Sequence, residues 1–430
     1  MESYSLHRVV IKDVREASES KIENGILHIN TKELRERILE DRFIKDVSVE
    51  FARPGESKRI VPIKDIVQPR AKMEEALNVF PGVISDPDYI AGSGDTVVLD
   101  NVAVITSGPL VNFQEGLVDM SGPGAEFCSF SKTLNVVLVM TPADKIAKPE
   151  HEKAVRLAGI KAARYLGALG RSAKADKKDV YPVINPFAAG NEHKNLPKVL
   201  YVCQVIAQGL LHDNYIYGLN AQGCLPVLMR PTEFFDGAVM SGNCAAPCHK
   251  HSTYHYQNNP IIEDLLDEHG KTVNFLGVVA TPVRTAFVEK ERINRQVLKI
   301  GQMLGIDGAI ISEDGGGNPE ADLMLLTRLF EKSGIKVVLV TDEYAGSDGA
   351  SPGLADVTPE ADAVVTNGNG NQRVILPPMK ETVGVLETVE RITGGHAGGI
   401  LPDGSVDMEI AGIMGSTNEL GFENLKTVAI

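Results

Sequence analysis

The chain has 430 residues, 43% of them apolar and 23% charged, a composition that suits folded domains with a sizeable core and excludes disorder and fibre. At this length more than one core is expected. Against 57 acidic residues stand 43 basic ones, a net charge of −14 with no basic block, which argues against nucleic acid as a partner.

The opening Met1-Glu2-Ser3-Tyr4-Ser5-Leu6-His7-Arg8 has no cationic flank followed by an apolar stretch, so neither signal nor transit peptide is expected and the cytoplasm is the expected location. No run reaches the roughly 18 apolar residues that span a bilayer, so no membrane role is expected. The longest strand-like block, Val136-Val137-Leu138-Val139-Met140, has the length of a buried β-strand.

In chain order, strands are predicted at Arg8 to Val14, Ile26 to Asn30, Val47 to Phe51 and Thr96 to Thr106, separated by turn clusters such as Ala52-Arg53-Pro54-Gly55. One short helix, Thr31 to Asp41, is expected to pack on them. A longer helix begins at Pro149 and runs to about Gly167, with Val155, Ala158, Ala162 and Leu166 on one face. The second half alternates: strand Phe275 to Ala280, helix Ala286 to Leu304, strand Gly308 to Ser312, helix Pro319 to Ser333, strands Lys336 to Thr341 and Ala363 to Asn367. Ile293, Val297, Ile300 and Leu304 form a core-facing stripe on the first of these helices. The pattern predicts an α/β chain, α+β overall. A β-rich N-terminal half is followed by a C-terminal half with a mostly parallel, helix-covered sheet.

Between the halves lies an atypical stretch, Ser241 to Pro260, in which Cys244, Cys248, His249, His251 and His255 fall within twelve residues. Sulfur and imidazole donors can fill a tetrahedral Zn²⁺ shell, but the usual second cysteine pair is missing, so the spacing is only a weak signal for a metal site. Cys244 and Cys248 could form a redox couple, and the histidines could simply hydrogen-bond in a loop. A further route is rearrangement of the Asn243-Cys244 peptide bond. The Cys244 sulfur attacks the Asn243 carbonyl to give a thioester, elimination leaves a dehydroalanine, and hydrolysis yields a pyruvoyl group. An intein-type junction also uses Asn followed by Cys, but Gly242 occupies the place of its penultimate histidine.

The run Ser241-Gly242-Asn243-Cys244, with Cys248 and then Tyr254-His255-Tyr256-Gln257-Asn258-Asn259-Pro260, resembles the processing site of the component B precursor of the glycine, sarcosine and betaine reductases, and the resemblance extends over nearly the whole chain. D-proline reductase has a similarly processed but longer precursor. The resemblance implies self-cleavage into 1–243, a β-rich subunit ending at Asn243, and 244–430, an α/β subunit whose Cys244 becomes the covalent pyruvoyl cofactor. It also implies reductive C–N cleavage of a small amino acid. The implied partners are a selenocysteine-containing component B subunit, selenoprotein A, and component C, which releases acetyl phosphate. A carbonyl can condense with glycine or sarcosine but not with a quaternary betaine, which would need an aromatic cage, for instance of Tyr254, Tyr256, Phe234 and Phe235. Glycine is the expected substrate.

His249, His251 and His255 are candidates for acid–base work. Asn259 and Pro260 are read as the N-cap and first position of a helix over Ile261 to Glu268. Downstream, Gly315-Gly316-Gly317 joins a strand to a helix start, a place where backbone approach and free N–H groups would suit a substrate carboxylate. Its spacing is not that of a nucleotide-binding loop. The rival reading is an uncleaved metal- or redox-binding protein using Cys244, Cys248 and the nearby histidines.

Overall fold

A computed structural model describes residues 3–85, 91–189, 193–209, 213–242 and 245–421. The elements that position the site are, in order, β1 (Ser3–Val10), α1 (Thr31–Leu39), β2 (Ile44–Ala52), β3 (Lys58–Val67), β4 (Arg70–Lys72), β5 (Gly94–Asp100), β6 (Val102–Ser107), β7 (Gly116–Asp119), β8 (Leu134–Pro142), α2 (Lys148–Ala168), β9 (Lys177–Pro182) and β10 (Lys198–Ile206). After these come β11 (Val227–Met229), α3 (Thr253–Gln257), α4 (Pro260–Glu268), β12 (Asn274–Val283), α5 (Phe287–Leu304), β13 (Gly308–Ser312), α6 (Glu320–Lys332), β14 (Lys336–Glu343), β15 (Val364–Asn369) and β16 (Glu381–Gly384).

The N-terminal half is β-rich, as its turn-punctuated pattern predicts. One sheet runs β9-β1-β5-β4 and a second β7-β3-β6-β8-β2. The stretch expected as one strand over Thr96 to Thr106 is two strands in different sheets, because Asn101 takes a left-handed conformation (φ 65°) and turns the chain. Arg8 to Val14 is likewise broken: β1 ends at Val10 and a separate strand begins at Asp13. The long helix matches expectation, with Val155, Ala158, Ala162 and Leu166 all buried.

The third sheet runs β11-β12-β10-β13-β14-β15, parallel except for the antiparallel edge strand β11. Numbered by sequence, its parallel strands stand in the order 2-1-3-4-5, the flavodoxin-like arrangement of a doubly wound sheet. β12→α5→β13 and β13→α6→β14 step in the same direction, so right-handed crossovers put α5 and α6 on one face, where they pack together. β12 is buried along its whole length, which requires cover on its other face too, and α4 packs against it. On α5, Ile293 and Val297 are buried while Ile300 and Leu304 are half-buried against the same core. Asn259 caps α4, accepting from the Ile261 and Ile262 N–H groups.

The halves exchange strands. β10, from before residue 243, is central in the parallel sheet, while β16, from near residue 380, pairs in parallel with β3 in the second N-terminal sheet. Pairing at such sequence separation leaves no trace in local hydrophobic periodicity.

Candidate functional site

The direction of strand order in the parallel sheet reverses between β10 and β13, and ligands of such sheets bind beyond the carboxyl ends of the strands at that point. A cleft of about 850 Å³ lies there. Ile206 ends β10 and Gln208 follows it, Gly315, Gly316 and Gly317 follow β13, and Tyr344 follows β14; all line it, with Phe113 and Gln114 from the N-terminal half. Ala245, Ala246 and His249 complete the wall.

Asn243 and Cys244 lie outside the described residues, but both flanks are fixed. Upstream, the Ser241 N–H donates to Thr253 Oγ1 (3.1 Å) and the Gly242 N–H to Asn214 Oδ1. Gly242 is required because a Cβ there would fall 2.1 Å from the Asp213 carbonyl carbon. Downstream, residues 247–248 are strung between backbone groups of the C-terminal segment: Cys248 N–H to Ala411 O (3.0 Å), Gly415 N–H to Pro247 O (2.9 Å) and Thr417 N–H to Cys248 O (3.1 Å).

The three candidate histidines part company. His249 reaches the cleft; its Nδ1 lies 3.3 Å from Asp342 Oδ2 and its Nε2 accepts the Ala246 N–H (3.2 Å). Burial disfavours its charged form, but the acidic groups of Cys248, Asp342 and Glu419 outweigh burial and raise its pKa well above the ordinary value. Accepting from Ala246 requires a bare Nε2, so proton uptake there and the bond to residue 246 exclude each other. His251 is buried behind the wall, and burial with its two neighbouring histidines holds it neutral. His255 caps its own short helix, Nδ1 accepting the Ser252 N–H at 3.1 Å, and burial lowers its pKa to about 3. That geometry gives it a structural task.

Neither Tyr254 nor Tyr256 lines the cleft. Tyr254 meets Phe130 edge-on at 5.2 Å, and the buried Tyr256 hydroxyl lies between Asn214 (2.8 Å) and Asp314 (3.1 Å). Phe234 packs against Tyr256, and Phe235 against Tyr4 and Tyr181, so these four rings do not cage a cation in the cleft. The glycine loop does face the cleft. Gly315 is left-handed (φ +87°), and a side chain there would press on Ile206. Two of the loop's three amides are already committed, Gly315 N–H to Glu419 (3.2 Å) and Gly317 N–H to Glu320 (2.7 Å).

Sequence reasoning missed a buried acidic cluster beside His249. Glu313, Asp314, Asp342 and Glu419 are all buried together. Burial raises Glu313 and Glu419 well above the carboxylate range and Asp314 to about 6. Asp342 Oδ2 also accepts from Thr417 Oγ1 (2.6 Å), and Cys248 Sγ is 2.9 Å from Tyr344 Oη. Glu313, Asp314 and Asp342 sit at the ends of strands that the sequence places, a positional signal for a ligand site; Glu419 lies in a segment without periodicity and gives none. Lys250, also missed, is buried with its Nζ 3.3 Å from Gln114 O, its pKa lowered to about 7 by burial and Arg156. Two triads have donor atoms close enough to share one ion: Cys248, His249 and Asp342, and His251, Asp314 and Glu419. Among the described residues no helix is long and apolar enough to cross a membrane.

No solved structure matches the chain. It is 46% identical over 96% of its length to the glycine reductase complex component B subunits alpha and beta of Peptoclostridium acidaminophilum, and 45% identical over 97% to those of Acetoanaerobium sticklandii. It is 44% identical over 98% to the sarcosine reductase complex component B subunit alpha of the former organism. In each case the match covers the same share of the relative. The family model described as glycine/sarcosine/betaine reductase component B subunits matches residues 3–428, and the chain belongs to that family.

Proposed function

We propose that this chain is the precursor of the carbonyl-bearing subunits of a cytoplasmic glycine-type reductase, cut between Asn243 and Cys244 so that residue 244 becomes a pyruvoyl group. The observation that carries the reading is that Ala245, Ala246 and His249, among the first described residues after the junction, line the cleft at the reversal point of the parallel sheet. When formed, the pyruvoyl group supplies an electrophilic carbonyl for the substrate amine.

The chain's own residues would bind and orient. His249 Nε2, once it gives up the bond from the Ala246 N–H, would be free to take a proton and so to protonate the departing amine. Tyr344 holds Cys248, while Phe113 and Ile206 exclude water. In the cleavage, a selenolate of the partner component B subunit forms a C–Se bond at the α-carbon as the C–N bond breaks. The nitrogen leaves with the electron pair of the C–N bond, takes up a proton and is freed from the carbonyl carbon by water, and the carboxymethyl group passes to selenoprotein A as its selenolate displaces that of the partner subunit. With Tyr254, Tyr256, Phe234 and Phe235 committed to the core, glycine, followed by sarcosine, fits better than a quaternary betaine.

The test is the intact mass of the denatured protein with and without a carbonyl-reactive hydrazine. Two fragments meeting at 243/244 are expected, the second blocked to sequencing and shifted by hydrazine, with Cys244→Ala remaining one chain. A wild-type chain that stays whole and unmodified after prolonged incubation overturns the proposal.

A further inference from the structure

The His251 triad is short of hydrogen-bond partners in a way that its neighbour is not. His251 is 1% exposed, yet neither ring nitrogen has a hydrogen bond, and Glu419 Oε1, in a fully buried side chain, also lacks one. Buried polar groups are almost always satisfied, so an unpaired imidazole among carboxyl groups calls for a missing partner. His251 Nε2 lies 3.4 Å from Glu419 Oε2, while Nδ1, which cannot face the same ion, lies 3.9 Å from Asp314 Oδ1; one ring nitrogen and one oxygen from each carboxyl group all fall within 4.8 Å of one another. Two ligands at about 2.1 Å from a tetrahedral ion stand about 3.4 Å apart, which is the spacing of His251 Nε2 and Glu419 Oε2.

We propose that His251, Asp314 and Glu419 hold one divalent first-row transition-metal ion directly behind the cleft wall. The carboxyl groups are presented as metal ligands usually are, each oriented by donors behind it. Asp314 Oδ2 accepts from the Ile206 N–H (2.7 Å), Asn214 Nδ2 (2.7 Å) and Tyr256 Oη (3.1 Å), with Oδ1 toward His251. Glu419 Oε2 accepts from the Gly315 N–H. The His251 ring is steadied edge-on by Tyr256, 5.4 Å between centroids. Its neutral form, which burial favours, is the ligating form. One imidazole and two carboxylates suit Zn²⁺ or Mn²⁺ better than Ca²⁺ or Mg²⁺. In the other triad the groups satisfy one another: Cys248 with Tyr344, Asp342 with Thr417 and His249, and His249 with Ala246. The ion would tie together the turn after β13, the segment that follows residue 244 and the C-terminal segment. Such binding stands whether or not the chain is cut, because the three ligands are present either way.

The test is elemental analysis of full-length protein purified without a histidine tag or chelator, followed by Zn²⁺ titration of chelator-stripped protein against a competing dye. About one equivalent of metal is expected in the wild type, re-uptake of one Zn²⁺, at least 100-fold weaker uptake by His251→Gln and Glu419→Gln, and unchanged uptake by Cys248→Ser. Stripped wild-type protein that binds no Zn²⁺ below millimolar concentration overturns the proposal even if a variant fails to fold. So does binding lost in Cys248→Ser but kept in His251→Gln. Cleavage, read separately by mass, tests the pyruvoyl reading alone.

Discussion

Leu200 lies before residue 243, yet it packs in the centre of a sheet otherwise built mostly after it. It is fully buried in β10, paired with Gly277 of β12 on one side and Ala309 of β13 on the other. Replacing a core leucine by alanine costs about 2–5 kcal/mol, more where the surroundings cannot collapse into the gap. With a strand on either side, this site cannot close, so Leu200→Ala should cost about 4 kcal/mol. At about 1.4 kcal/mol per decade, amides that exchange only by global opening should exchange about 1000-fold faster. The assay is hydrogen exchange read by mass spectrometry on peptides covering β12, β13 and β14. All three lie after the junction and all three should lose protection together with β10. Acceleration confined to peptides before residue 243, with β13 and β14 unchanged, would refute a sheet shared across the junction.

Arg59 and Asp119 form a bidentate pair (2.6 and 2.7 Å) with both side chains 1% exposed or less. Asp119→Ala leaves a buried guanidinium unpaired and should cost about 3–5 kcal/mol in urea unfolding, whereas the double change Arg59→Met with Asp119→Leu should restore most of it. His255, with its pKa lowered to about 3 by burial, gives a pH signature. Between pH 3 and about 6.5 the unfolded chain binds a proton at this residue that the folded chain does not, so stability falls as pH drops through that window, by up to about 1.4 kcal/mol per unit. His255→Asn, which can keep the bond to the Ser252 N–H, should flatten that slope in denaturant midpoints measured from pH 7 to 4. An identical slope in the variant would show that His255 takes its proton in the fold.

Local signals were readable wherever a local cause dominates. Asn259-Pro260 starts a helix as its capping chemistry dictates, Gly308 to Ser312 is a strand to the residue, and the apolar face of the helix after Lys148 is the buried one. The run Lys198 to Ile206 is as apolar as any strand, but nothing near it says that its neighbours lie beyond residue 270. The site shows the same divide. Gly315 to Gly317 and His249 could be singled out because a glycine turn after a strand and a histidine-rich segment are local features. His255 sits in the same segment yet is bound up in a cap. The tyrosines at 254 and 256 carry chemistry-bearing side chains but point into the core, a choice made by Phe130, Asn214 and Asp314, which are distant in sequence.

Strand exchange also bears on what a cut at 243/244 could do. If each half formed its own sheets, cleavage would let the halves part and open the cleft between Phe113 and Gln114 on one side and the glycine loop on the other. Instead β10 is locked between β12 and β13, and β16 lies along β3. Thr253, just after the junction, donates its hydroxyl to Asp65 at 2.7 Å, and the Gln68 N–H donates to Gln257 at 2.9 Å. At the break itself the upstream end is pinned by Asn214 and Thr253, and the downstream end by Ala411, Gly415 and Thr417. A scission there removes one covalent bond and leaves these contacts in place. The described segments on either side of the junction are thereby held by elements from both pieces, which is the rigidity that a carbonyl formed there would need to meet one substrate in one orientation.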